Sequence, residues 1–463
     1  MAEKAKFLEG SLMNHVAVMS FTASLGLMAV FVVDFADMLF ISMLGNAALA
    51  AAIGYAGAIL FFTTSISIAF AIATAALSAR AIGQGERERA RHVASHAITF
   101  GVILSALIAA LVWFNLRGLV GLLGAQGEVA DLAVDYLAII VPSLPILVVA
   151  MSGGAILRAH GAARPAMWST IGGAVVNAVL DPILIFGAGL ELEGAAIASV
   201  CARIAIAWLA LRPVWTQYGG LPLPRLSELM DDIRPVAALA LPALMTNIAT
   251  PVGQAWVTRA MAEFGEDAVA GMAIVGRITP VAFAVIFALS GAIGPIIGQN
   301  AGAGQPERVR RAFIDGLIFT GAYVAVAALA LFALRGPIAW LFEAEGVTLA
   351  LISLFCGPLA LAWVFNGAIF VGNAAFNNLG HPFWSTAINW GRNTLGTIPF
   401  VALGAAWLGA PGVLIGQAAG GVAFGIVSVW LGLRLTTRAL PPREERVLPP
   451  MQVRLLQLMG RNR

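Results

Sequence analysis

The sequence predicts an all-α integral membrane protein with twelve transmembrane helices in two parallel six-helix lobes. Three features predict it: an apolar, charge-poor composition, twelve apolar runs, and a repeat relating the second half of the chain to the first. Sixty per cent of the 463 residues are hydrophobic and 11% are charged, with a mean hydropathy of +0.89. A soluble domain carries roughly 25% charged residues. A bilayer offers no water to backbone groups, so apolar segments of about 20 residues must be helical there. The 50 glycines fit the same setting, because small residues let helices approach closely in lipid.

The runs fall at 15–43, 47–79, 93–115, 129–157, 165–189 and 194–214, then at 235–260, 267–298, 312–334, 347–376, 382–408 and 411–433. Several exceed a straight crossing, which implies tilt or kinks. The expected organisation is a first lobe at 1–214, a cytoplasmic connecting loop at 215–234, a second lobe at 235–440 and a basic cytoplasmic tail at 441–463. In the tail, apolar residues alternate with arginines, as suits a short helix on an anionic leaflet. Residues Met1–Gly10 hold Lys4 and Lys6 without a small-residue cleavage site, so they read as a short segment entering the first span rather than a signal peptide.

Charge sets the expected topology. Arg80, Arg87, Arg89, Arg91, Arg158, Arg164, Arg212, Arg225, Arg234, Arg308, Arg310 and Arg311 follow the even-numbered spans. The opposite loops carry mainly acids: Glu128, Asp131, Glu191, Glu193, Glu263, Glu266, Asp267, Glu343 and Glu345. The positive-inside bias puts both termini and the long middle loop in the cytoplasm. The net charge of +3 is too small and dispersed to indicate nucleic acid. Cys201 and Cys356 lie far apart in apolar runs and read as packing residues, not a disulfide.

The halves repeat. Gly85, Glu88 and Arg91 match Gly304, Glu307 and Arg310 at an offset of 219. Trp168-Ser169-Thr170 recurs as Trp384-Ser385-Thr386 at an offset of 216, which also carries Asn177 onto Asn393. Six spans per repeat give both halves one orientation. Repeats of this kind mark transporters, with the substrate site at the repeat interface.

Ionisable groups inside a membrane are costly and mark function by default. Six fall at membrane depth: Asp34, Asp37, Asp181, Arg203, Arg277 and Arg392. Asp34 and Asp37 share a face of span 1. Asn177 lies one turn before Asp181, and Pro182 after it bends the axis and frees a carbonyl. Asp37 and Asp181 are each eight residues from an outer turn, or about 12 Å deep, and Ser199 enters roughly 8 Å from the same side. Asp37, Asn177, Asp181 and Ser199 are therefore expected to converge. Carboxylates crowded in low dielectric favour sharing a proton, and the same oxygens could hold Na⁺. Arg203, one turn from Ser199, could pair with Asp34 or Asp181. Arg277 and Arg392 have no matching acid and could line a cavity.

Other chemistry is not indicated. His15, His92, His96, His160 and His381 sit near cytoplasmic helix ends without metal-ligand spacing. No GxxxxGK[ST] loop offers ATP hydrolysis, and no cluster of nucleophile, base or metal ligands points to an enzyme.

The run ADMLFISMLG (36–45) with AALAA after it, ARAIGQGERERAR (79–91) and NAVLDP (177–182) together resemble the multidrug and toxic compound extrusion (MATE) family, in its DinF-like branch. The resemblance covers essentially the whole chain. It implies that Asp37, Asn177 and Asp181, with Ser199 at a span-6 hydroxyl position, form the cation site of the N-terminal lobe. It also implies a monomeric, proton-coupled antiporter that exports amphipathic, often cationic, compounds across a bacterial inner membrane, with no cofactor. Two departures stand out: span 1 has no proline where relatives bend, leaving Gly26 to serve, and the second lobe has no membrane-depth carboxylate, which counts against the Na⁺-coupled branch. The alternatives are Na⁺-coupled export and, given the three arginines, a lipid-linked precursor flippase of the same superfamily.

Overall fold

The computed structural model describes residues 5–437; the expected tail helix at 441–463 lies outside them. Among the described residues there are helices and no strand. Spans 1 to 3 are Leu12–Met43, Ala47–Gly83 and Arg87–Phe114; spans 4 to 6 are Gly127–Ala159, Ala163–Gly187 and Glu191–Gln217. Span 7 is Leu226–Ala262, span 8 is Glu266–Ala282 continued by Ala284–Gly302, span 9 is Pro306–Leu341 and span 10 is Gly346–Asn378. Pro382–Asn393 starts span 11, and Ile398–Thr437 finishes span 11 and forms span 12. That last helix is not continuous: Gly409 has φ 66° and ψ −145°, a conformation that only glycine adopts cheaply. The chain reverses there, and Gly404 and Gly420 come against the backbones of Gly412 and Gly396. With that reversal the described residues form twelve spans.

Sequence signals place the helix starts. Ser11 caps span 1 by accepting from the Asn14 N–H at 3.4 Å, and Asn46 caps span 2 by accepting from that of Ala48 at 2.9 Å. Pro306 and Pro382 open their helices, where a missing N–H costs nothing. The stretch expected as a loop over 215–234 is shorter. Span 6 runs to Gln217 and span 7 begins at Leu226, because its polar first turns continue the helix beyond the apolar run. Asp232 anchors that extension through Arg89 and His96.

Large apolar side chains on the outer faces, such as Phe114, Trp340 and Trp407, are exposed as lipid contact requires. The interior core divides largely between the halves. One cluster draws on residues from Val257 to Leu414 and another on residues from Ile41 to Ala195. Two further clusters join the halves. One sets span 1 against spans 8 to 10, and the other sets the start of span 7 against span 2.

The turns rich in arginine all lie on one face, which also carries the N-terminal segment. This basic face is closed. A Cβ on Gly83 would overlap the backbone of Gln299, and one on Gly302 would overlap that of Arg80. Both glycines and both backbone sites are related by the offset of 219, so the closure repeats the sequence symmetry. Gln299 also donates to the Ala159 carbonyl at 2.7 Å and accepts from the Phe7 N–H at 2.9 Å. Asn300 and Arg308 hold the Phe7 carbonyl, and Lys6 reaches the Gly161 carbonyl at 2.7 Å. The N-terminal segment thereby straps the two halves together.

Candidate functional site

Asn177 and Asp181 are four residues apart on span 5 and so share one face. The Asn177 amide nitrogen donates to Asp181 Oδ2 at 2.5 Å and lies 3.2 and 3.4 Å from the two oxygens of Asp37 on span 1. One side-chain amide thus bridges two carboxylates from different helices. Asn177 and Asp181 are buried and Asp37 is half-buried. Asp181 Oδ1 is buried with no hydrogen-bond partner among the described residues. Pro182 ends the regular helix, and a wider turn follows at Ile183–Gly187, closed by the Ala188 N–H on the Ile183 carbonyl at 2.8 Å. The carboxylates cannot both be charged around one amide in low dielectric without strong repulsion. The arrangement therefore suits exchange of a single cation between charged and neutralised forms.

The other expected members stand apart. Ser199 is half-buried and, among the described residues, forms no hydrogen bond with Asp37, Asn177 or Asp181. Span 6 sets Ile206 and the Ala202 carbonyl against Gly173 of span 5. Helical rise fixes a residue's depth but not which side chains it bonds. Asp34 is exposed one turn before Asp37 and outside the hydrogen-bonded group.

Arg203 pairs with neither Asp34 nor Asp181. It donates to the Ile140 carbonyl at 3.2 Å and to Ser143 Oγ at 2.7 Å. Pro142 interrupts span 4 between these residues, and a proline leaves upstream carbonyls without their helical donors. Trp113 takes the Ala138 carbonyl at 3.2 Å, and the Ile140 carbonyl accepts from both Ser143 Oγ and Arg203. Its charge is therefore spent on the kink. Arg392 donates to Asn366 Oδ1 at 2.5 Å, and Arg277 is exposed on the first segment of span 8.

The second half repeats the geometry without the charge. The offset of 216 carries Asn177 onto Asn393 and Asp37 onto Gly253. The Asn393 side chain lies directly over Gly253, 2.5 Å from where a Cβ would be. Asn393 is buried and donates to the Asn389 carbonyl at 2.9 Å. Around it runs a neutral network that sequence reasoning missed. Asn389 donates to Asn373 Oδ1 at 3.0 Å, and Ser385 donates to Asn377 Oδ1 at 3.1 Å. The signal was present: Asn373 with Asn377, and Asn389 with Asn393, are pairs four apart in apolar helices.

Known proteins share this architecture. The model of the MatE family matches residues 23–183 and 242–403. A protein of Shewanella oneidensis named FAD transporter is 31% identical over 426 residues, covering 90% of this chain and 93% of its own. Multidrug export protein MepA of Staphylococcus aureus is 25% identical over 267 residues, 56% of this chain and 58% of its own. A structure described as the outward-facing conformation of a multidrug resistance MATE family transporter aligns with a TM-score of 0.87 at 22% identity, over 94% of this chain and 98% of that one.

Proposed function

The chain belongs to the MatE family of membrane transporters, and we propose that it is a proton-coupled exporter of amphipathic organic compounds working by alternating access. The observation that carries this reading is the Asn177 amide shared between Asp37 and Asp181, with one Asp181 oxygen lacking a hydrogen-bond partner among the described residues. A proton placed on that pair removes the repulsion and lets spans 1 and 5 tighten. Span 1 is one unbroken helix from Leu12 to Met43. Gly26 within it sits 3.3 Å, measured from its Cβ position, from Thr170 of span 5. Small size at that contact is what a bend of span 1 over span 5 needs. Residues 1–214 and 235–433 then move as two bodies, and the basic face, placed in the cytoplasm of a bacterial inner membrane, opens as the contacts of Gly83 and Gly302 separate. The protein works as a monomer. Na⁺ is the alternative coupling ion at Asp37, Asn177 and Asp181.

One observation favours a second reading of the cargo. None of Arg203, Arg277 and Arg392 forms an ion pair among the described residues, so each arginine has only neutral acceptors or solvent around its charge. That favours an anionic aromatic compound, in keeping with the name of the Shewanella relative, and it also keeps a lipid-linked anionic precursor within reach. The test is uptake into proteoliposomes holding the purified protein, with a cationic dye and a flavin dinucleotide supplied in turn. A pH gradient should drive transport when choline replaces sodium. Transport that needs sodium and ignores the pH gradient refutes proton coupling.

A further inference from the structure

We propose that His92, His96 and Glu228 form a divalent transition-metal site that ties span 3 to span 7 on the basic face. His92 and His96 are four residues apart at the start of span 3, so both rings leave one side of the helix; their centroids are 6.0 Å apart. Glu228 comes from the first turn of span 7. One ligand atom from each of the three lies within 4.8 Å of the other two, and His92 Nδ1 is 3.1 Å from Glu228 Oε2. A four-coordinate zinc with bonds of about 2.0–2.1 Å needs ligand atoms roughly 3.3 Å apart, which small side-chain rotations here supply.

The second observation is independent of that spacing. His96 is buried, with a side chain 1% exposed, and its Nε2 has no hydrogen-bond partner among the described residues. Its Nδ1 lies 2.6 Å from Asp232 Oδ2, and Arg89 grips the same carboxylate. A carboxylate held charged by an arginine accepts a hydrogen bond, so Nδ1 is the donor and Nε2 is the ring nitrogen left to ligate. A carboxylate that fixes a histidine in this way is the usual support of a metal-bound imidazole. An unpartnered buried nitrogen otherwise costs stability; a metal would satisfy it. Asp232 is thus a positioning residue. The remaining charged neighbours are mixed: Arg225 contacts Glu228 Oε1 at 3.4 Å, and Glu86, Arg87 and Asp231 line the adjoining cavity of about 1130 Å³. That cavity gives a water or an exchangeable ligand access to the fourth position. Because span 3 and span 7 belong to opposite halves, an occupied site holds the basic face closed.

The binding test uses the full chain, purified in detergent with any affinity tag removed and titrated with Co²⁺. One equivalent should bind with the intense visible absorption of four-coordinate cobalt and be displaced by Zn²⁺. His92→Ala and Glu228→Gln should abolish that spectrum at an unchanged melting temperature, and Asp232→Asn should weaken affinity about 10–100-fold. Absence of saturable binding, or a spectrum undiminished in the His92→Ala/Glu228→Gln double variant, overturns the site. A transport arm rests on the transporter reading above. Zn²⁺ at saturating concentration should stop transport by the natural protein and spare the double variant. Equal inhibition of both overturns the closing role and leaves the binding result standing.

Discussion

Asn393 occupies the space over Gly253 that a carboxylate fills at the equivalent place in the first half, where Asn177 reaches Asp37. The second half is therefore a neutral counterpart of that carboxylate cluster, closed by packing. Gly253→Ala should destabilise the protein by about 1–3 kcal/mol, the usual cost of overpacking. Asn393→Ala should relieve most of that cost when the two are combined. Thermal unfolding of the single and double variants in one detergent checks this; a double variant no more stable than Gly253→Ala would place the clash elsewhere.

In the first half, Asp37→Asn and Asp181→Asn should each abolish gradient-driven export while the protein still folds, because an amide cannot take up and release the proton. Asn177→Ala should impair coupling as well, since it removes the amide that bridges the two carboxylates. Asp34→Asn and Ser199→Ala should do less harm, both lying outside that hydrogen-bonded group. Substrate-induced proton release, followed with a pH dye in detergent, should vanish in the Asp37 and Asp181 variants. Release that persists without both of them would move the coupling site to Asp34.

Orientation is tested by cysteine labelling from outside intact cells, after Cys201 and Cys356 are replaced. Positions 85 and 306 should be protected and positions 191 and 345 reactive towards a membrane-impermeant thiol reagent. Strong external labelling at 306 would invert the topology.

The closure of the basic face is tested by enlarging its contacts. Gly83→Val and Gly302→Val should bias the protein towards the state open on that face, because each side chain would meet the backbone of the opposing half. The readout is a spin-label distance between positions 84 and 303, which should lengthen in both variants. A cross-link between the far ends of spans 1 and 7 should, in contrast, stop transport without unfolding the protein. Normal transport through that cross-link would exclude movement of the two halves as bodies.

The sequence by itself determined the spans, their number and their pairing into repeats, because lipid forbids unsatisfied backbone groups and so writes each crossing as an apolar run. It also placed Asp37, Asn177 and Asp181 on the right helices at similar depth, since helical rise is fixed. What it left open was rotation about each helix axis. That angle is set by which small residues pack against which neighbour, and it aims Asn177 at Asp37. The fate of Arg203 was hidden for a similar reason: its acceptors are a carbonyl and a hydroxyl at the kink made by Pro142, sixty positions away. Only the tertiary structure could set Glu228 beside His92 and His96. A spacing of four along one helix becomes a ligand pair only when another helix brings the third donor, and the packing of the two halves decides that.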